Sequence, residues 1–261
     1  MSIPIDEIFG PAHQGEGRRM GVPSLFVRLG GCNLTCSGFG CKVTSPLDNK
    51  TVITGCDSIH AVNSKHFKHK WTYYDKSFEL IDEINKYINT HNSNVEKYDL
   101  VITGGEPLIH HKDVVVIDML EYYISRGHKI TIETNGTIPI DFIEYPIYKQ
   151  VTFSMSVKTS TSGEAENKRW KPDVVNNYLK NTIDSYFKFV LSKKTIEENE
   201  IELFDFLKLV PTFGVVYLMP LGETETELKV NAKAVYEYAL KHEFRYSDRI
   251  HIRVYNDLRG V

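Results

Sequence analysis

The stretch "VPSLFVRLGGCNLTC", Val22–Cys36, decides how this chain is read. Its first eight residues are β-branched, aromatic or aliphatic in the proportion of a buried strand. The run stops at Gly30-Gly31, and two cysteines follow, Cys32 and Cys36. A strand that ends in glycines and delivers reactive side chains is repeated elsewhere. "YDLVIT" (Tyr98–Thr103) ends at Gly104-Gly105, and "HKITIET" (His128–Thr134) at Asn135-Gly136. "QVTFSMS" (Gln150–Ser156), "SYFKFVL" (Ser185–Leu191), "GVVYLMP" (Gly214–Pro220) and "RIHIRVY" (Arg249–Tyr255) read as further strands. Between them apolar residues recur at helical spacing: Phe78, Ile81, Ile84 and Ile88, then Val116, Met119, Leu120 and Tyr123, and more roughly Ile201, Phe204, Leu207 and Leu209. Glu225–His242 has the length of a long helix. Alternating strands and helices predict a mainly parallel α/β sheet, open or curled into a barrel. The one long irregular stretch is Ser37–Trp71, and a loop of that length in a compact domain is usually functional or mobile.

The bulk numbers set the limits. The 261 residues are 41% hydrophobic and 25% charged, enough for one good core. A formal charge of -3 argues against a globally basic nucleic-acid surface. The local run "KHFKHK", Lys65–Lys70, reads as a solvated loop. The N-terminal segment lacks a basic region followed by an apolar one, and no stretch approaches the roughly 18 apolar residues of a membrane span. These features predict a soluble, cytoplasmic protein. All four cysteines, Cys32, Cys36, Cys41 and Cys56, fall within 25 positions. In a reducing compartment such crowding points to metal or redox chemistry rather than disulfides.

Each motif carries two readings. The cysteines suit an iron–sulfur cluster or a zinc loop, although Cys-x3-Cys-x4-Cys-x14-Cys matches no common zinc spacing. If three thiolates hold a [4Fe–4S] cluster, one iron stays open to a cosubstrate. "TGGEP", Thr103–Pro107, lets backbone approach a ligand and offers a carboxylate to an ammonium group; it is equally a strand-to-helix turn with a capping residue. "IETNG", Ile132–Gly136, offers Glu133 and Asn135 to a ribose, or is simply an Asn-Gly turn. In "HQGEG", His13–Gly17, Glu16 can grip an amidine-like heterocycle edge, and Arg28 a carboxylate; otherwise the glycines make a turn and Arg28 a surface ion pair. Strand C-termini are where ligand sites sit in such folds.

Taken together, "EIFGPAHQGEGRRMGVPSLFVRLGGCNLTC", "GCDS", "VITGGEPL" and "ITIETNGT", with the ending "HIRVYNDLRGV", resemble the 7-carboxy-7-deazaguanine synthases, radical S-adenosylmethionine enzymes of deazapurine (queuosine-type) biosynthesis. The resemblance covers most of the chain. It implies a modified, incomplete (β/α) barrel of six to seven mainly parallel strands, a single domain over 1–261 with an extended cluster-loop insertion at about 37–71, and a homodimer. It implies a [4Fe–4S] cluster, S-adenosylmethionine and Mg2+. A 5′-deoxyadenosyl radical would convert 6-carboxy-5,6,7,8-tetrahydropterin to 7-carboxy-7-deazaguanine with loss of ammonia. An electron donor such as flavodoxin or ferredoxin would be the protein partner, with neither membrane nor nucleic acid bound directly.

Residue by residue, the resemblance makes Cys32, Cys36 and Cys56 the cluster ligands and the Ser58 hydroxyl the Mg2+ ligand. The family commonly runs Cys-x2-Cys-Asp-Thr or Ser; here "CDS" lies 20 positions beyond Cys36, which leaves Cys41 a competitor for the third place. Gly55, Cys56, Asp57, Gly105, Glu106, Glu133, Asn135, Ser156 and Lys158 would contact S-adenosylmethionine. "Ser156-Val157-Lys158" departs from the usual Ser-Pro-Lys and loses a fixed φ. His13, Gln14, Gly15, Glu16, Arg28, Thr103, His251 and the carboxylate of Val261 would contact the pterin. Two other classes remain on the cysteine spacing: a different radical enzyme such as a glycyl-radical activase, and a non-enzymatic zinc module using all four cysteines.

Overall fold

The computed structural model describes residues 2–89, 98–210, 214–258 and 260. Among these residues are eleven strands: β1 Ile3–His13, β2 Pro23–Leu29, β3 Cys41–Thr44, β4 Val52–Gly55, β5 Thr72–Tyr74, β6 Asp99–Gly104, β7 Ile130–Thr134, β8 Thr152–Met155, β9 Tyr186–Leu191, β10 Val215–Pro220 and β11 Arg245–Tyr246. Nine form one sheet in the order β11-β10-β9-β8-β7-β6-β2-β1-β5. The run from β2 through β6, β7, β8, β9 and β10 to β11 is parallel, while β1 and β5 add antiparallel at the far edge. Among the described residues β5 and β11 do not pair with each other, so the barrel is incomplete.

Period-two alternation sorts the two faces of the parallel strands. Leu25, Val27 and Leu29, then Leu100 and Ile102, Ile130 and Ile132, Phe153 and Met155, Phe187 and Phe189 are all buried. The helices Ser77–Asn89, Val114–Ser125, Pro172–Asn181, Ile201–Lys208 and Glu225–Lys241 contribute Leu80 and Ile84, Met119 and Tyr123, Val175 and Tyr178, Phe206, and Val235 to the same core. The alternate residues carry polar groups: Arg28 is in register with Thr103, and Glu133 with Ser154. A sheet with one apolar face and one polar face keeps its core on the helix side and leaves the concave side for chemistry.

Four expectations need correction. The apolar stripe of the first long helix runs through Leu80, Ile81 and Ile84, and Phe78 is exposed. "RIHIRVY" forms the helix Ile250–Tyr255, not a strand. Its alternation imitates a strand, but β11 already continues the sheet there, and the segment folds across the mouth with Ile252 buried beneath it. The stretch Ser37–Trp71 is mostly regular. β3 and β4 form an antiparallel hairpin, followed by short helices Ile59–Val62 and Ser64–Phe67. Ile53, Ile59, Phe67 and Trp71 give this insertion its own small core. "KHFKHK" is therefore helical, with Phe67 buried and its lysines in solvent.

Candidate active site

The glycines that close β6 are there because two chain segments touch. A Cβ on Gly104, which sits at φ 144°, would overlap the Leu29 carbonyl oxygen, and one on Gly105 would overlap that of Gly31. The backbone N–H groups of Gly105 and Glu106 donate to Leu29 O (3.2 Å) and Gly31 O (2.9 Å). The loop bearing Cys32 thus lies directly on "TGGEP", with no room for side chains between.

Glu106 is fully buried, and it joins the ends of two strands. Its Oε1 accepts from Leu108 N (3.1 Å) and Thr134 Oγ1 (2.8 Å), and its Oε2 from Asn135 N (2.6 Å). Burial pushes its carboxyl up to about 7 against the pull of these donors. Asn135 is committed in turn. Its Nδ2 donates to Asn33 Oδ1 (2.9 Å) and its Oδ1 accepts from Thr137 N (3.0 Å). The cap and turn readings of both motifs are therefore present as geometry, and they brace the cysteine loop from below.

Cys32, Cys36 and Cys56 stand close enough that each thiol acts electrostatically on the others. Burial is the chief reason Cys32 is pushed up to about 12 and Cys36 to about 11, and it raises Cys56 as well. The Lys158 ammonium opposes this at Cys36 and Cys56. Buried thiols that resist ionisation give up their protons when a metal binds in their place. Three such thiols fit a [4Fe–4S] cluster with one iron left open. Cys41, which also lies within electrostatic reach of Cys56, donates from its thiol to Glu223 Oε1, and burial and that carboxylate push it up strongly. In the β3–β4 hairpin Cys41 faces Gly55, so the insertion returns the chain to where it departed.

The cysteine loop is also gripped from outside. Glu164 Oε1 accepts from Thr35 N (2.6 Å), Thr35 Oγ1 (2.7 Å) and Cys36 N (2.9 Å). Cys36 itself adopts the left-handed conformation, φ 48° and ψ 43°. Sequence reading missed Glu164, whose partners lie nearly 130 positions away. The neighbouring Lys158 carbonyl accepts from Arg169 Nη1 (3.1 Å) and Trp170 Nε1 (3.2 Å), and Arg169 is paired with Glu202 at 2.8 Å, both buried. Lys158 Nζ reaches Ser156 Oγ at 3.2 Å.

The "HQGEG" loop lies across the mouth. His13 is exposed, whereas Gln14 is buried and its Nε2 donates to Ser24 Oγ (3.0 Å). Gly15 O accepts from Ile250 N (2.9 Å), and His251 rests where a Gly15 side chain would stand. Glu16 reaches Lys188 Nζ (2.6 Å) with Oε2 and Arg249 Nε (3.4 Å) with Oε1. Burial alone would raise the Glu16 carboxyl, but Lys188, Arg249 and His251 together hold it well below the usual carboxylate range. Arg28 pairs with Glu7 (2.7 Å) and lies 3.5 Å from Ser58 Oγ, which donates to Asp57 Oδ1 at 3.2 Å. Asp57 Oδ2 is 3.6 Å from Arg249. Thr103 Oγ1 donates to Glu133 Oε2 at 2.8 Å. Val261 lies outside the described residues.

Lys188 and Arg249 were not among the residues expected at the site. Lys188 had a signal: a lysine inside the apolar run "SYFKFVL" is costly to bury unless paired. Arg249 was read as the start of a strand and so had none.

Comparison with known proteins places this geometry. Residues 13–178 match the family model described as a 4Fe-4S single cluster domain. The 7-carboxy-7-deazaguanine synthase of Halobacterium salinarum is 32% identical over 98% of this chain and 91% of its own length. The chain belongs to the 7-carboxy-7-deazaguanine synthase family. The enzyme of that name from Aquifex aeolicus is 28% identical over 77% of this chain and 73% of its own, and that from Buchnera aphidicola 27% over 96% and 97%. The crystal structure of QueE from Escherichia coli shares the fold, with a TM-score of 0.62 at 22% identity over 95% of this chain and 94% of that one. As a family member the chain is a radical S-adenosylmethionine enzyme whose cofactors are a [4Fe–4S] cluster and S-adenosylmethionine. Membership in this synthase family sets aside the zinc-module and activase readings of the cysteines.

Proposed function

We propose that this chain converts 6-carboxy-5,6,7,8-tetrahydropterin to 7-carboxy-7-deazaguanine, releasing ammonia. The observation that carries the reading is the polar face of the sheet: Arg28, Thr103 and Glu133 stand on adjacent strands, Arg28 reaches Ser58 two residues beyond Cys56, and Glu133 is joined through Lys188 to the Glu16 loop. When bound, the cluster and S-adenosylmethionine supply the 5′-deoxyadenosyl radical that takes a hydrogen atom from the substrate. The residues of the chain bind, orient and shield.

In this reading Cys32, Cys36 and Cys56 hold the cluster. Gly105 and Glu106 border the methionine end of S-adenosylmethionine, Gly55, Cys56 and Asp57 its adenine, and Glu133, Asn135, Ser156 and Lys158 its ribose and carboxylate. Glu16 accepts from the amidine edge of the pterin, and its ionised state suits that task. Arg28 takes the pterin carboxylate in exchange for Glu7, and Ser58 beside it holds Mg2+. His13, Gln14, Gly15, Thr103, His251 and the Val261 carboxylate complete the pocket. The protein works as a cytoplasmic homodimer and receives its electron from a small flavodoxin- or ferredoxin-type donor.

The test is anaerobic turnover of the carboxylated pterin with reductant, comparing Cys56→Ala and Cys41→Ala. Cys56→Ala is expected to lose cluster and product while Cys41→Ala keeps both; the reverse result overturns the ligand assignment. Ser58→Ala is expected to lose the response to Mg2+. A wild-type protein that cleaves S-adenosylmethionine but forms no deazapurine sinks the reading altogether.

A further inference from the structure

Lys188 is the one described residue that touches both carboxylates expected to face the two bound molecules. It projects from β9 on the polar side of the sheet and is 5% exposed. Its Nζ lies 2.6 Å from Glu16 Oε2 and 3.0 Å from Glu133 Oε1. Each carboxylate keeps one further partner on its other oxygen, Arg249 for Glu16 and Thr103 for Glu133. Glu16 sits in the loop after β1, and Glu133 ends β7. No backbone hydrogen bond joins those two segments among the described residues, because β6 and β2 lie between β7 and β1. The ammonium group is thus the direct connection from one carboxylate to the other.

Burying a lysine beside two carboxylates is unfavourable unless all three groups are held in fixed geometry. Burial works against the Lys188 charge, but Glu133 and Glu16 more than restore it, so the group stays protonated. Without it, Glu16 and Glu133 would lose the one cation that both of them contact, and nothing would hold the two carboxylates at a fixed separation. An ionised, immobile Glu16 is what an amidine edge needs, and a Glu133 carboxylate held in place is what a ribose hydroxyl needs.

We propose that Lys188 is the positioning residue that sets the register between the pterin at Glu16 and the ribose of S-adenosylmethionine at Glu133, so that the hydrogen atom to be abstracted faces the 5′ carbon. The inference rests on the functional reading above and deepens it. Radical abstraction depends on reacting atoms held in near-contact, and a displacement of about 1 Å can cost on the order of a hundredfold. A residue that holds both partners therefore controls coupling as well as affinity.

The test uses the cluster-loaded enzyme with Lys188→Met and Lys188→Arg. Equilibrium binding of S-adenosylmethionine and of the carboxylated pterin is measured without reductant. Turnover with reductant then gives deazapurine formed per 5′-deoxyadenosine. Lys188→Met is expected to weaken both ligands by about tenfold or more each. It is also expected to release 5′-deoxyadenosine with little product. Lys188→Arg keeps the charge at a different reach, so both affinities stay within about threefold of wild type while the product ratio still falls. If Lys188→Met weakens only one ligand, or keeps the wild-type product ratio, the inference is wrong. Should Lys188→Met fail to fold, a wild-type product ratio in Lys188→Arg is the overturning result. Absence of product from the wild type would instead indict the functional reading, which separates the two failures.

Discussion

Replacing Glu164 by alanine removes the clamp on the cysteine loop, and its size can be worked from the structure. One carboxylate oxygen accepts three hydrogen bonds, from Thr35 N, Thr35 Oγ1 and Cys36 N, at 2.6–2.9 Å. A hydrogen bond to a charged group contributes about 1.5–3 kcal/mol net. Glu164 is half-buried, so solvent screening argues for less than the lower end, or about 3 kcal/mol for the three together. Against this stands the left-handed backbone of Cys36, which costs a non-glycine residue about 1–2 kcal/mol. The clamp outweighs the strain by a narrow margin. Without it the loop relaxes, and Cys36 no longer presents its sulfur beside Cys32 and Cys56. A loss of about 3 kcal/mol corresponds to roughly a hundredfold in the population of the ligand-ready loop. Glu164→Ala is therefore expected to lose its cluster to a chelator far faster than wild type and to purify with less iron, while the thermal transition of the barrel moves little. Glu164→Gln keeps an accepting oxygen without the charge and falls between. If Glu164→Ala retains iron against chelator at the wild-type rate, the loop is held by something else and the reasoning fails.

Two further perturbations probe the seam beneath that loop. Gly105→Ala drives a methyl group into the Gly31 carbonyl oxygen, where only backbone can yield, and is expected to destabilise by about 2 kcal/mol or more and to depress iron content; an alanine variant with full stability and full iron would show that the two segments can separate freely. Glu106→Gln turns an amide N–H toward either Asn135 N or the Leu108 and Thr134 donors, and is expected to cost about 2 kcal/mol in chemical denaturation. The pH dependence has a definite sign. The folded carboxyl is raised from 4.5 to about 7, so its contribution is complete below 4.5 and is lost as pH rises through about 7. The gap between wild type and Glu106→Gln should narrow on going from about pH 5 to about pH 8, and a gap that widens would contradict the assignment.

The parallel sheet was legible because its strands are short apolar runs punctuated by Gly-Gly or Asn-Gly, signals that lie within a few residues. The insertion was not. β3 and β4 have four residues each, and what stabilises them is the remote packing of Ile53 on Ile59, Phe67 and Trp71. "RIHIRVY" misled for the opposite reason: its local pattern was clear, but the place of a further strand was already filled. The site shows the same division. Residues that stand in contiguous motifs could be named in advance. Glu164, Arg169 and Glu202 could not, because their partners are brought together only by the fold. Lys188 lies between the cases, an anomaly in a buried strand whose meaning depends on Glu16 and Glu133.

The same distinction bears on how the proposed third ligand, Cys56, can sit 20 positions beyond the second, Cys36. A ligand loop cannot tolerate a change in geometry, yet a long excursion is tolerated wherever the chain leaves and returns at one point. The β3–β4 hairpin does this by pairing Cys41 with Gly55 across two antiparallel strands. From Cys41 onward the chain goes out and comes back, so Cys56 begins where an uninterrupted loop would have continued. Asp48 closes the outer turn by accepting from Lys50 N (3.0 Å) and Thr51 N (2.9 Å), and Trp71 seats the far end of the insertion against Gly30. The hairpin thereby brings Cys56 back beside the point where the chain set out at Cys41. It also explains why Cys41 competes for the third place: it stands across the hairpin from Gly55, next to Cys56, with its thiol donating to Glu223.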